Sequence, residues 1–146
     1  MVGALDMPSA VKTSGKRGVH IVLPLARGPS HEEATDFAEK IATAVAKVLP
    51  KIATVERMKA KRDGKLYVDY LQNGEGRTVV APYTLRALDG APVSTPITWD
   101  ELTESLDPRA LSMRVVLDRV KERGDLFAAA LGPGKSIPRL DSGTHP

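Results

Sequence analysis

The chain contains no cysteine. Disulfides and thiolate metal ligands are therefore excluded, and a reducing compartment such as the cytoplasm is the expected location. Aromatic residues are scarce: two phenylalanines, three tyrosines and one tryptophan. So few rings cannot build a broad stacking platform for single-stranded nucleic acid. Long apolar runs are missing too. The stretch Val19–Leu25 is far too short to cross a bilayer, and no basic segment followed by an apolar one marks a signal peptide. No membrane partner is expected. Charge of one sign is also in short supply, since the formal net charge is only +3; it permits a polyanionic partner without requiring one. What remains is one domain's length, 146 residues, 42% of them hydrophobic, enough to bury a core.

Along the chain, residues 1–10 have no period and read as a lead-in. Lys12–Gly18 is a polar, glycine-bearing loop, and Val19–Leu25, rich in β-branched residues, reads as a buried strand. Ser30 followed by Glu33 is a capping box. The apolar positions Phe37, Ile41, Ala44, Val45 and Val48 then recur at helical spacing until Pro50. Asp63-Gly64 has the chemistry of a two-residue hairpin turn, which predicts antiparallel strands over 54–62 and 65–71. The second of these is apolar on both faces and so reads as central. Thr78–Ala81 is β-like. Thr98 and Glu101 repeat the capping-box pattern, Arg109–Arg123 carries a helix, and a short helix follows Gly124-Asp125. These elements make one unit over 1–131, followed by a Gly/Pro/Ser-rich tail over 132–146 that is expected to be flexible.

Three constellations could carry chemistry. In Thr13–His20, the glycines at 15 and 18 let backbone amides approach an anion, Ser14 offers a hydroxyl, and Lys16, Arg17 and His20 supply donors. The pieces suit a triphosphate, but they equally describe a basic turn, and GxxxxGK[ST] is absent. Asp69 interrupts an apolar strand, where an unpaired charge costs several kcal/mol on the order of usual desolvation penalties. It either faces a cation or caps the Asn73-Gly74 turn. Lys59, Lys61, Arg62, Lys65, Arg77 and Arg86 form either a phosphate-facing surface or a solvated rim.

The blocks Lys12-Thr-Ser-Gly-Lys-Arg-Gly-Val-His20, Leu66-Tyr-Val-Asp-Tyr-Leu-Gln-Asn73, Thr78-Val-Val-Ala-Pro-Tyr-Thr-Leu-Arg86 and Ala91–Leu102, in that order, resemble the polymerase domain of bacterial ligase D. That family belongs to the archaeo-eukaryotic primase superfamily and serves non-homologous end joining. The resemblance runs from about Leu5 to Phe127. It implies an α+β fold: a mostly antiparallel sheet with helices packed on it, part of a primase-polymerase (RRM-like) core, with the 31–49 helix on one sheet face. It implies metal-dependent nucleotidyl transfer to a primer 3′-hydroxyl. Ser14, Lys16 and His20 match positions that hold the incoming triphosphate. Arg62 and Arg86 match basic positions near phosphates, and Asp69 matches a catalytic, metal-binding carboxylate for Mn²⁺ or Mg²⁺.

The chain also departs from the family pattern. The other two metal ligands form an Asp-x-Asp pair upstream of the Lys-Thr-Ser-Gly block, and here Met1 lies eleven residues before Lys12. The upstream lysine and DNA-end-binding portion are likewise not seen, and Leu88 stands where many relatives have a second arginine. The expectation is a triphosphate-side portion of the enzyme, inactive alone. Its implied partners are NTP or dNTP, DNA ends, a complementing N-terminal polymerase half, a ligase, an end-binding protein and, through uncovered apolar surface, a second copy of itself. The alternative is a non-catalytic module that binds nucleotide phosphates or DNA ends.

Overall fold

The computed structural model describes residues 2–138. Four residues that the sequence assigns to a lead-in and a polar loop, Ala10–Thr13, form the central strand β1. All four are buried. The lysine within it conceals the strand, because four residues give too few alternations for period two to stand out. β1 pairs antiparallel on one side with β2 (Val19–Val22) and on the other with a short strand at Pro96–Ile97. The sheet is thus antiparallel and the chain mixes helix and strand, as the resemblance implies. Details differ from expectation. The strand read over 19–25 stops at Val22, and it is an edge strand with Val19 and Ile21 exposed rather than a buried one. Pro24, which has no amide hydrogen to give a ladder, lies two residues beyond its end.

Helix α1 (His31–Val48) begins where the capping box places it. Ser30 Oγ accepts the Glu33 amide, and the Glu33 carboxylate accepts the Ser30 amide. It buries Phe37 and Ala42. Its main contacts are with β3 (Ala53–Thr54) and the 3-10 turn Leu71–Asn73, not with the three-stranded sheet.

The expected hairpin is absent. β3 pairs with β4 (Leu66–Tyr67) in parallel, and a 3-10 turn at Lys59–Lys61 lies between them. Asp63 and Gly64 do take positive φ, 49° and 73°, so the local turn chemistry was read correctly. Arg62 redirects the chain: its Nε and Nη2 donate to the carbonyls of Glu56 and Arg57, and its guanidinium stacks 4.1 Å over the Tyr67 ring. The connector is compact and returns in the same direction. Thr78–Ala81 forms no strand.

The strand beside β1 at Pro96–Ile97 is β5. The core gathers Val11, Val93, Ile97, Leu111 and Val116, with Leu102 and Leu106 beside them; fully burying such a side chain contributes about 2 kcal/mol. Val116 comes from helix α2 (Met113–Arg123), the helical part of the stretch expected over 109–123. Thr98 and Glu101 form their capping box on a 3-10 turn. Glu101 also clamps α2, accepting from Arg119 at 2.7 and 2.9 Å and from Arg123 at 3.2 Å. After Gly124 the expected short helix is a single 3-10 turn, Ala128–Ala130. In the segment expected to be a tail, Lys135 bonds the backbone at Pro24 and Ala26 and its ammonium reaches Asp6. Residues 139–146 lie outside the described residues. Among the described residues no helix is long and apolar enough to cross a membrane.

Candidate functional site

Pairing of β1 with β2 sets Lys12 opposite His20, so both side chains leave the same face of the ladder. Lys12 is only 1% exposed. Its Nζ lies 2.9 Å from His20 Nδ1 and donates to Ser94 Oγ at 2.8 Å. Ser94, itself fully buried, passes its hydroxyl hydrogen to the Thr13 carbonyl at 2.8 Å. The Lys12 pKa is lowered to about 8 by burial, with the nearby Arg86 charge adding to it. Burial, then Lys12 and Arg86, lower the His20 pKa, while Asp69 opposes them. Histidine, lysine, arginine and aspartate therefore share one neighbourhood.

Arg86 enters this group along Gly15. The glycine has φ +68°, and its missing side chain leaves room for the arginine stem. The loop ahead of it is closed by Ser14, whose Oγ accepts the amides of Lys16 and Gly18 at 3.2 and 3.1 Å; its amide donates to the Gly18 carbonyl. Among the described residues no acceptor takes the Ser14 hydroxyl hydrogen. Lys16 and Arg17 are exposed and line a cleft of about 170 Å³ with Leu88, Asp89, Pro92 and Arg109.

Asp69 is not where the sequence predicts. The strand ends at Tyr67, and Asp69 is exposed, so it carries no desolvation cost of a buried charge. One carboxylate oxygen accepts the Leu71 amide at 3.0 Å, which is the turn-capping reading. Its charge still acts on His20. The structure thus brings together Lys12, His20 and Arg86, with Ser14 and Lys16 on the adjoining loop and Asp69 within electrostatic reach of His20. Arg62 is engaged with the carbonyls of Glu56 and Arg57 and with the Tyr67 ring, as above. The residues missed from the sequence are Lys12, Ser94 and Arg109. A lysine two positions before Ser14 was visible, but nothing in a tetrapeptide strand announces that it turns inward.

Among the described residues no three histidine, aspartate or glutamate side chains form a metal-binding group. Asp69, a lone carboxylate with one oxygen already accepting an amide, does not fit a pair of divalent ions by itself.

Comparison with known proteins decides the kinship. Residues 1–127 match the family described as LigD, primase-polymerase domain. The chain belongs to the LigD primase-polymerase family. It is 39% identical over 124 residues to the multifunctional non-homologous end joining protein LigD of Mycolicibacterium smegmatis, covering 85% of this chain and 16% of that protein. It is 34% identical over 128 residues to the bifunctional LigD of Bacillus subtilis, covering 87% and 21%. The solved polymerase domain of Mycobacterium tuberculosis ligase D in complex with DNA superposes with a TM-score of 0.82 at 33% identity, over 90% of this chain and 46% of that one. The chain therefore spans about half of the solved LigD domain and 16% to 21% of these LigD proteins.

Proposed function

We propose that this chain is the triphosphate-binding part of a metal-dependent nucleotidyltransferase that extends primers at DNA ends during non-homologous end joining. The observation that carries the reading is the juxtaposition of Lys12, His20 and Arg86 beside the Ser14–Gly18 loop, with the Asp69 charge acting on His20. Cationic and neutral N–H donors beside an exposed basic loop suit a polyphosphate. In this reading Ser14, Lys16, His20 and Arg86 bind the triphosphate of an NTP or dNTP, and Arg62 stiffens the β3–β4 connector near it.

Asp69 is the candidate carboxylate for Mn²⁺ or Mg²⁺, which would neutralise charge on the phosphates. Because one carboxylate does not fit a divalent pair, no chemical step is assigned to these residues alone. The remaining ligands would come from a complementing polymerase half. The open edge of β2, with Val19 and Ile21 exposed, supports a partner there, either that half or a second copy of this chain. DNA ends, a ligase, an end-binding protein and a cytoplasmic location complete the proposal, and residues 1–131 would be the polymerase portion.

The capping bond from Asp69 to Leu71 favours a second reading, a module that binds nucleotide phosphates or DNA ends without catalysis. Calorimetric titration with ATP, with and without Mn²⁺, alongside a primer-extension assay, separates them. The first reading expects ATP affinity strengthened by Mn²⁺ and lost in Lys16→Ala, with no extension by this chain alone. Metal-independent affinity indifferent to Asp69→Ala supports the module. Absence of any ATP binding rejects both triphosphate readings.

A further inference from the structure

The Lys12–His20 contact has a direction. An ammonium group only donates hydrogen bonds, so a charged Lys12 needs an unprotonated Nδ1 on His20, 2.9 Å away. The reverse arrangement, Nδ1–H donating to a neutral amine, requires Lys12 to lose its proton. With a pKa lowered only to about 8, Lys12 keeps its charge at neutral pH. The second bond agrees. Ser94 Oγ spends its hydrogen on the Thr13 carbonyl and so meets Lys12 Nζ as an acceptor. Hydrogen bonds therefore run outward from one buried ammonium to the ring and to the hydroxyl.

We propose that Lys12 is a positioning residue that locks His20 in the Nε2–H tautomer, so that the ring offers a neutral, oriented N–H to a phosphate oxygen. The locking follows from this contact alone; the phosphate as recipient rests on the proposed function. The charges facing the ring are Lys12 and Arg86, which lower its pKa, and Asp69, which raises it; burial is the largest influence and favours the uncharged ring. A neutral ring with a fixed tautomer places its donor without adding a third charge beside Lys12 and Arg86. Which nitrogen carries the hydrogen is set by the bond the other one makes.

The test is a long-range ¹H–¹⁵N spectrum of the full chain at neutral pH, with the His20 ring assigned by comparison with His20→Gln. The expected pattern is Nε2–H in the unmodified protein. In Lys12→Met the ring should populate both tautomers and its pKa should rise. Ser94→Ala, which removes the second anchor of Lys12, should move the tautomer ratio in the same direction and serves if Lys12→Met does not fold. An Nδ1–H ring in the unmodified protein overturns the proposal, as does a tautomer ratio unchanged in either variant.

Titration of the same sample with inorganic tripolyphosphate tests the recipient separately. The Nε2–H signal should shift on binding, and Lys12→Met should bind about tenfold more weakly, a change typical of one charge-assisted hydrogen bond. A locked tautomer with no response to tripolyphosphate sinks the triphosphate reading and leaves the positioning role of Lys12 standing.

Discussion

A Cβ placed on Gly15 would stand 2.5 Å from Cγ of Arg86 and 3.1 Å from the amide nitrogen of Ser94. The loop before β2, the arginine and the buried Val93–Ser94 segment are thus packed at a distance only glycine allows. Gly15→Ala should cost about 1–3 kcal/mol, from the positive φ and from displacement of Arg86. Gly90 has φ +78° but open space around its missing side chain, so Gly90→Ala should cost about 1 kcal/mol, the conformational part alone. Urea unfolding of both variants makes the comparison. Equal losses would show that the Arg86 contact is slack.

Arg86 also acts by charge. It lowers the pKa of both Lys12 and His20, so Arg86→Met should raise both. An NMR titration of the His20 ring reads this directly. A fall in the His20 pKa would mean that the guanidinium is not beside the ring. Under the proposed function the same variant should bind ATP several-fold more weakly.

Asp69 caps the turn at Leu71 and, under the proposed function, holds a metal ion; two substitutions separate these roles. Asp69→Asn keeps an acceptor for the Leu71 amide and should unfold like the parent, whereas Asp69→Ala loses the cap and about 1 kcal/mol. Both should lower the His20 pKa, because the carboxylate raises it. Both should also abolish the Mn²⁺-dependent part of ATP binding; retention of that part in Asp69→Asn would remove Asp69 from the metal reading.

Glu101 gives a pH dependence far from the site. Its pKa is lowered to about 2, first by the Arg119 hydrogen bond and further by the Thr98 amide and the Arg119 and Arg123 charges, against an opposing effect of burial. A carboxylate whose folded pKa is depressed stabilises fully above its unfolded pKa and loses that contribution as pH falls through the folded one. The Glu101 contribution should therefore be complete above about pH 4.5 and gone near pH 2. Its size is about 1–3 kcal/mol for a half-buried bidentate pair. Glu101→Gln should lower stability at neutral pH and flatten the acid limb measured by urea midpoints.

Much of this molecule could be read before any coordinates. The capping boxes at Ser30/Glu33 and Thr98/Glu101 are local chemistry, written in residues three apart, and both form. The family kinship was legible because four motifs keep their order over most of the chain. Long-range geometry was not. Asp63-Gly64 does turn the chain, yet β3 and β4 pair in parallel across a connector that Arg62 braces by bonding two carbonyls and stacking on Tyr67, contacts that no turn rule contains. The apolar composition of Leu66–Leu71 suggests a strand running through Asp69, but the strand stops at Tyr67 and the exposed carboxylate caps the following turn, the second of the two roles open to it in the sequence. β1 escaped because a lysine can be wholly buried when a histidine and a serine accept its hydrogens, and those two acceptors are 8 and 82 residues away.

The seating of Lys12 beneath the β1–β2 ladder also shapes how the protein responds to ionic strength. Mobile counterions gather readily around surface cations such as Lys16 and Arg17, but they cannot surround an ammonium that is 1% exposed. Its field therefore reaches the loop through protein rather than through electrolyte and is weakened less by added salt. Any anion held at this face should keep a salt-resistant share of its attraction when the contribution of the outer lysine and arginine has been screened away.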